Sequence, residues 1–287
     1  MAESNNINWY PGHMARARRE ISEAVKQVDV VIEIIDARIP VSSRNPILNE
    51  IIGDKPRVIV LNKADLADNE QNQKWIQSFK KDNQIAVIAD SNHGKGIKEA
   101  TDAAYKLMQE KINKQIEKGR TGVTIKAMIV GIPNVGKSTF INKVAGKQTA
   151  EVSNRPGVTR KNQWVRLNDK IQLLDTPGVL WPKFEDQVVA RHLAYIGTIK
   201  DDIMDIEELA LRLIEELLET HKECLYARYK IADDFEYDMS YEVMDEIGRK
   251  RGCLVRGGEV DYTKVANIVL DEFRSGKLGN ITLEEAK

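Results

Sequence analysis

The eight residues Gly131-Ile132-Pro133-Asn134-Val135-Gly136-Lys137-Ser138 restrict the fold more than any other part of this chain. They match the pattern Gly-x-x-x-x-Gly-Lys-Ser and stand between an apolar run, residues 125–131, and a segment of helical character, residues 137–144. In that setting Gly131 and Gly136 let the backbone curl until its N–H groups face an anion. The helix that follows turns its positive end to the same point. Asn134, Val135, Gly136, Lys137, Ser138 and Thr139 are thus candidate contacts for a nucleotide's phosphates. Lys137 neutralises the outer phosphates, and Ser138 offers a hydroxyl to Mg²⁺.

A second motif, Asn62-Lys63-Ala64-Asp65, directly follows the apolar run 57–61. The carboxylate of Asp65 can accept two hydrogen bonds from guanine, at the ring N–H and the exocyclic amine, and adenine offers no such pair at that edge. Asn62 would tie the base site to the phosphate loop, and Lys63 would cover the base. The pair Asp90-Ser91, after the next apolar run, fits a loop whose backbone meets the guanine carbonyl, with a plain turn as the alternative. Asp175-Thr176-Pro177-Gly178 ends a further strand. Its Asp175 can reach Mg²⁺ through water, and its Gly178 N–H can meet a γ-phosphate. Thr159 is the natural candidate for a Mg²⁺-contacting threonine between these elements. Thr149 is weaker, and a surface-loop role for Thr159 stays open.

The order of these motifs matters as much as their presence. The guanine element stands 69 residues before the phosphate loop, whereas ordinary GTPases place the phosphate loop first. Inversion points to a circularly permuted GTPase domain. Strand and helix alternate through residues 29–180, which predicts an α/β fold with a mainly parallel sheet. Strands are expected over 29–36, 57–61, 85–89 and 125–131, with a hairpin at 163–167 and 171–175. Helices are expected over 13–27, 70–82 and, as one long element, 97–118. After about residue 183 the pattern turns helical, with segments at 206–218, 241–248 and 262–274. The expected division is a basic N-terminal segment 1–28, a GTPase domain 29–184 and a smaller all-helical domain 185–287.

Composition narrows the setting. Hydrophobic residues make up 42% of the 287 and charged residues 30%, enough for a sizeable core under a charged surface. No apolar run approaches the roughly 18 residues of a membrane span. The N-terminus lacks an apolar signal core, so a cytoplasmic monomer without membrane contact is expected. Cys224 and Cys253 show no metal-ligand spacing and read as reduced packing residues. Residues 190–287 hold 14 Lys+Arg against 22 Asp+Glu, which opposes a uniformly basic nucleic-acid surface there. Local basic patches remain at Arg16, Arg18 and Arg19, and at Arg249, Lys250, Arg251 and Arg256. Both are RNA-contact candidates, with a solvated basic face as the alternative.

These motifs in this order resemble the circularly permuted GTPases. The opening Trp9-Tyr10-Pro11-Gly12-His13-Met14, then Asp36-Ala37-Arg38-Ile39-Pro40, Gly178-Val179-Leu180-Trp181-Pro182-Lys183 and Lys250-Arg251-Gly252-Cys253 narrow the resemblance to the bacterial ribosome biogenesis GTPase A family, over essentially the whole chain. The resemblance implies GTP hydrolysis in late assembly of the large (50S) ribosomal subunit, binding to its precursor and rRNA, and stimulation by the particle. Ras-like GTPases orient the attacking water with a glutamine at the position held here by Val179, which cannot polarise water. The resemblance assigns that task to His13. Without it, a lone histidine beside a glycine reads as structural or solvent-exposed. Asn134 stands where potassium-dependent relatives hold K⁺, and a structural asparagine is equally open. The permuted order also carries the chain from Gly178 straight into the helical segment. Loss of the γ-phosphate is therefore expected to shift the helical domain and loosen its hold on RNA. Two rival readings are a GTPase acting elsewhere and a P-loop enzyme acting on a metabolite, with residues 62–65 incidental in the latter.

Overall fold

The computed structural model describes residues 11–146, 163–166, 170–176, 178, 180–181, 186–199 and 205–286, with side chains in the first helix described from Arg18 onward. Its contacts divide the chain into two units, residues 1–185 together with 284–287, and residues 186–283.

In the first unit the apolar runs become strands. They are β1 (Val30–Asp36), β2 (Arg57–Asn62), β3 (Gln84–Ile88), β4 (Ile125–Val130), β5 (Gln163–Arg166) and β6 (Ile171–Asp175). They form one sheet in the order β3-β2-β1-β4-β6-β5. All pairings are parallel except β5 with β6, the hairpin expected from the sequence. Every residue of β1 is buried, as a central parallel strand requires. The permutation is visible in the pairing of β1 with β4. Val30 lies opposite Ala127 and Glu33 opposite Val130, which joins the half carrying the guanine motif to the half carrying the phosphate loop.

Helix α1 (Pro11–Lys26) is part of this unit's core, not a separate segment as expected for residues 1–28. Its Ile21, Ala24 and Val25, with Val28 beyond its end, pack against Val31, Leu48, Met128 and Leu174. Local capping explains the next two helices. Asn45 accepts from Ile47 N at 3.0 Å to start α2 (Pro46–Ile52), a short element without a clear period in the sequence. Asp68 accepts from Gln71 N at 2.7 Å to start α3 (Asn69–Ser78). The long helix expected at 97–118 is two, α4 (Ile97–Leu107) and α5 (Gln109–Glu117), broken at Met108. The apolar stripe Ala100, Ala104, Met108, Ile112 runs buried through the break, so periodicity could not mark it. Helix α6 (Lys137–Ala145) follows the phosphate loop.

The second unit holds α7 (Gln187–Tyr195), α8 (Ile206–Thr220), α9 (Lys222–Tyr229), α10 (Ser240–Arg251) and α11 (Tyr262–Arg274). Leu209, Leu213 and Leu217 of α8 are buried, as are Val265, Val269 and Leu270 of α11, and α8 packs on both α10 and α11. Glu272 of α11 binds Arg228 of α9 and Arg251 of α10, which ties three helices through one carboxylate. Cys224 and Cys253 are free thiols. No helix of the described residues is long and apolar enough to cross a membrane.

The final residues depart from the expected helical domain 185–287. Glu284 belongs to the first unit, where its carboxylate accepts from Val41 N at 2.5 Å and Ser42 N at 3.0 Å. Its carbonyl accepts from Trp75 Nε1 at 2.9 Å, and Ala286 N donates to Gln71 Oε1 at 3.3 Å. Two backbone donors on one partly exposed carboxylate contribute about 1–2 kcal/mol. Glu284→Ala should lower the thermal midpoint of the full-length protein by a few degrees. An unchanged melting curve would show that this anchor carries no stability.

Candidate functional site

The carboxyl ends of five parallel strands converge on one region, where open α/β sheets bind ligands. Asp36 ends β1, Asn62 ends β2, Asp90 follows β3, the phosphate loop follows β4 and Asp175 ends β6. Asn62 holds the region together. It is 1% exposed and donates from Nδ2 to Val135 O at 2.7 Å, within the phosphate loop. Its Oδ1 accepts from Ser91 N at 3.0 Å and Ser91 Oγ at 2.7 Å. The expected tie between base motif and phosphate loop is therefore made, and the same amide also fixes the Asp90-Ser91 loop.

Close approach explains two glycines. Gly136 has φ +95, and a Cβ there would lie 2.3 Å from Asn62 Nδ2. A Cβ on Gly178 would lie 2.7 Å from Lys137 Nζ and 2.9 Å from Pro133 N, so Gly178 sits directly against the phosphate loop. Gly136 caps α6, which places Lys137, Ser138 and Thr139 in that helix's first turn, where unpaired N–H groups and the helix dipole favour an anion. Asn134 adopts a left-handed conformation, φ 63, which asparagine tolerates better than most side chains.

Two buried charged groups, Lys137 and Asp175, are electrostatically coupled. Lys137 is 7% exposed and donates to Ile132 O at 2.7 Å. Burial pulls its ammonium down to about 8, against the pull of Asp175. Asp175 is 4% exposed, and its Oδ1 has no hydrogen-bond partner among the described residues. Burial pushes its carboxyl up to about 6, with Lys137 opposing. Beside it Thr176 Oγ1 donates to Ile129 O at 2.6 Å, pinning β6 to the strand that leads into the phosphate loop.

Around the base motif, Ala64 N donates to Ala89 O at 3.1 Å, and Asp65 lies exposed in a short 3₁₀ turn. Partial burial and the neighbouring Asp90 push the Asp65 carboxyl above its usual range. The Asp90 carboxylate turns into its own loop, where it binds His93 N at 3.1 Å and His93 Nδ1 at 2.6 Å. Lys63 Nζ pairs with Asp36 Oδ2 at 3.1 Å, and Arg38 forks onto the same carboxylate. Sequence reasoning used Asp36 and Arg38 only as family markers. The available signal was their place just past a buried strand, where an ionic residue needs a partner.

Thr159, Thr149 and Val179 lie outside the described residues, as do the side chains of His13 and Arg16; the His13 backbone is in the first turn of α1. Arg18 pairs with Glu50 at 3.2 Å on an exposed surface, and Arg19 is exposed. In the second unit Arg249 and Arg256 are exposed, and Lys250 pairs with Glu246 at 3.4 Å. Arg251 is held by Glu272 at 2.9 Å and lies 5.0 Å over the Tyr229 ring, so its guanidinium is already engaged within the unit.

Known proteins agree with this geometry. The family model described as "50S ribosome-binding GTPase" matches residues 126–230. It starts in β4 and leaves out the half with the guanine motif, as a permuted order requires. Ribosome biogenesis GTPase A of Bacillus cereus is 48% identical over 278 residues, covering 97% of this chain and 93% of the relative. The protein of the same name from Thermotoga maritima is 29% identical, covering 97% and 94%. The crystal structure of GNP-bound YlqF from T. maritima matches with a TM-score of 0.63 at 26% identity, covering 95% of this chain and 99% of that one. A guanine motif placed before its phosphate loop, a sheet that rejoins the two halves and near-full-length identity lead to one conclusion: this chain is a circularly permuted GTPase and belongs to the ribosome biogenesis GTPase A family.

Proposed function

We propose that this GTPase acts as a nucleotide-controlled checkpoint on the precursor of the large (50S) ribosomal subunit. In this reading it binds the particle and its rRNA in the GTP state, and the particle stimulates hydrolysis. The observation that carries it is the Asn62 bridge between guanine motif and phosphate loop, in a chain 48% identical to a protein named for ribosome biogenesis. The protein works in the cytoplasm, as a monomer until it meets the particle.

Each residue has a task in this reading. Asp65 reads the guanine edge, Lys63 covers the base, and Ala64, Asp90 and Ser91 frame it. The N–H groups of Asn134, Val135, Gly136, Ser138 and Thr139 surround the phosphates, with Lys137 on the outer ones. The donor set fits Mg²⁺. The buried Oδ1 of Asp175, without a hydrogen-bond partner among the described residues, calls for a cationic or hydrogen-bonding neighbour, and Ser138 lies in the first turn of α6. Thr159 would complete that set. Mg²⁺ held there would supply positive charge to offset that developing on the phosphates. Asn134 is the residue that would hold K⁺. Gly178 N–H meets the γ-phosphate, which allows the segment it begins to respond to hydrolysis. With valine at position 179, His13 is the residue that orients the attacking water. Arg16, Arg18 and Arg19, and Arg249, Lys250 and Arg256, supply phosphate contacts to RNA. Arg251 contributes there only by leaving Glu272.

Three measurements test these assignments. The protein should co-sediment with large-subunit precursors in a GTP analogue and release them in GDP; equal sedimentation in both states would refute the checkpoint. Asp65→Asn should weaken GDP binding about a hundredfold and favour xanthine nucleotides, because the new amide N–H pairs with the C2 carbonyl. Retained guanine preference would remove Asp65 from the base site. His13→Ala should slow particle-stimulated hydrolysis by about 10²–10⁴ and leave GDP affinity unchanged. Full stimulation in that variant would eliminate His13 as the water-orienting group.

A further inference from the structure

Lys63 of the guanine motif belongs to a three-membered ion cluster whose other members, Asp36 and Arg38, none of the nucleotide-site roles above uses. Asp36 is 0% exposed and Arg38 1%. Arg38 donates from Nε to Asp36 Oδ1 at 2.9 Å and from Nη2 to Oδ2 at 2.8 Å, and its backbone N reaches Oδ1 at 3.1 Å. This fork fixes the plane of the carboxylate. Lys63 Nζ takes the same Oδ2 at 3.1 Å. The placement follows from register: Asp36 lies opposite Asn62 at the shared end of β1 and β2, and Ala37 N donates to Asn62 O at 2.9 Å. Asp36 therefore stands beside the residue that precedes Lys63.

Stability alone is a poor reason for such a cluster. Desolvating three charges offsets most of their mutual attraction, and apolar residues of similar volume would serve a core at least as well. What the cluster does provide is direction. Lys63 sits in the left-handed region at φ 57, ψ 34, which is rare for a lysine and persists where the surroundings over-determine it. Its ammonium is anchored, yet about a fifth of its side-chain surface stays exposed (21%). A lysine so tethered cannot sweep through the rotamers open to a free surface lysine, which would otherwise have to be ordered on binding.

We propose that Asp36, oriented by Arg38, is a positioning residue for nucleotide binding: it holds the Lys63 side chain in place against the guanine base before the nucleotide arrives. The proposal rests on the reading that Lys63 covers the base. It assigns Asp36 and Arg38 an effect on affinity and none on the hydrolytic step, since neither belongs to the phosphate loop or to the Asp175–Gly178 motif.

The test is a double-mutant cycle in the full-length protein, with fluorescent GDP affinity and kcat at saturating GTP as the two readouts. Asp36→Asn should weaken GDP binding on the order of tenfold, the size of coupling between contacting residues, with kcat unchanged. Lys63→Ala should weaken it at least as much, and adding Asp36→Asn to Lys63→Ala should cost nothing further. Additive losses, or unchanged affinity in Asp36→Asn, overturn the positioning role. Unchanged affinity in Lys63→Ala overturns the underlying reading instead, and so separates the two failures. A melting curve without nucleotide checks that each variant folds. Should Asp36→Asn not fold, Lys63→Met puts the question from the other side. It keeps the stem and removes the ammonium, so GDP affinity should fall; unchanged affinity overturns the proposal.

Discussion

The carboxamide of Asn62 is the contact on which the site depends. One side chain donates to the phosphate loop 73 residues away and accepts twice from Ser91, 29 residues away. Permutation makes this bond more than a local detail. The strands that carry the base motif and those that carry the phosphate loop are separate halves of the chain, joined in the sheet by the pairing of β1 with β4. The backbone pairing sets the distance between the halves, and the Asn62 amide then locks the loops at the strand ends to one another. A buried amide with its donor and its acceptor both used leaves little freedom for either loop to drift.

Buried charge shapes the rest of the site. Lys137 and Asp175 are both buried and electrostatically coupled, each pushed by burial toward its neutral form. A polyanion with a divalent cation bound there would favour the charged form of both groups. The cluster under the base behaves differently. Burial alone would raise the Asp36 carboxyl, but Arg38 and Lys63 more than offset it and hold the group far below its ordinary range. Asp175 keeps an oxygen without a partner among the described residues, whereas Asp36, Arg38 and Lys63 are paired with one another.

Both termini of the helical unit connect to elements of the nucleotide site. Its N-terminal side continues from Gly178, which abuts the phosphate loop. Beyond its C-terminal side the chain returns through Glu284 to the N–H groups of Val41 and Ser42. Those residues directly follow the segment containing Asp36 and Arg38, and Ser43 Oγ bonds the Asp36 backbone N at 3.1 Å. Chain continuity thus runs from Gly178, beside the phosphate loop, through the helical unit and back to the segment that follows Asp36 and Arg38.

Much of this was legible from residues alone. Strand-end motifs are local: a buried strand announces itself by a run such as Val30–Ile35, and the residues just past its carboxyl end are placed by that fact. The guanine motif, the phosphate loop, Asp175 and the inverted order that implies permutation could all be read without coordinates. The break at Met108, the partners of Arg38 and Arg251, and the return of Glu284 could not. A helix period continues unchanged across Met108, and a charged side chain carries no local mark of which distant group will neutralise it. Pattern within a dozen residues decides what each segment becomes. Which buried carboxylate holds Lys63 and which basic residues remain exposed are decided only when strands and helices far apart in sequence pack, because burial then makes an unpaired charge too costly to leave.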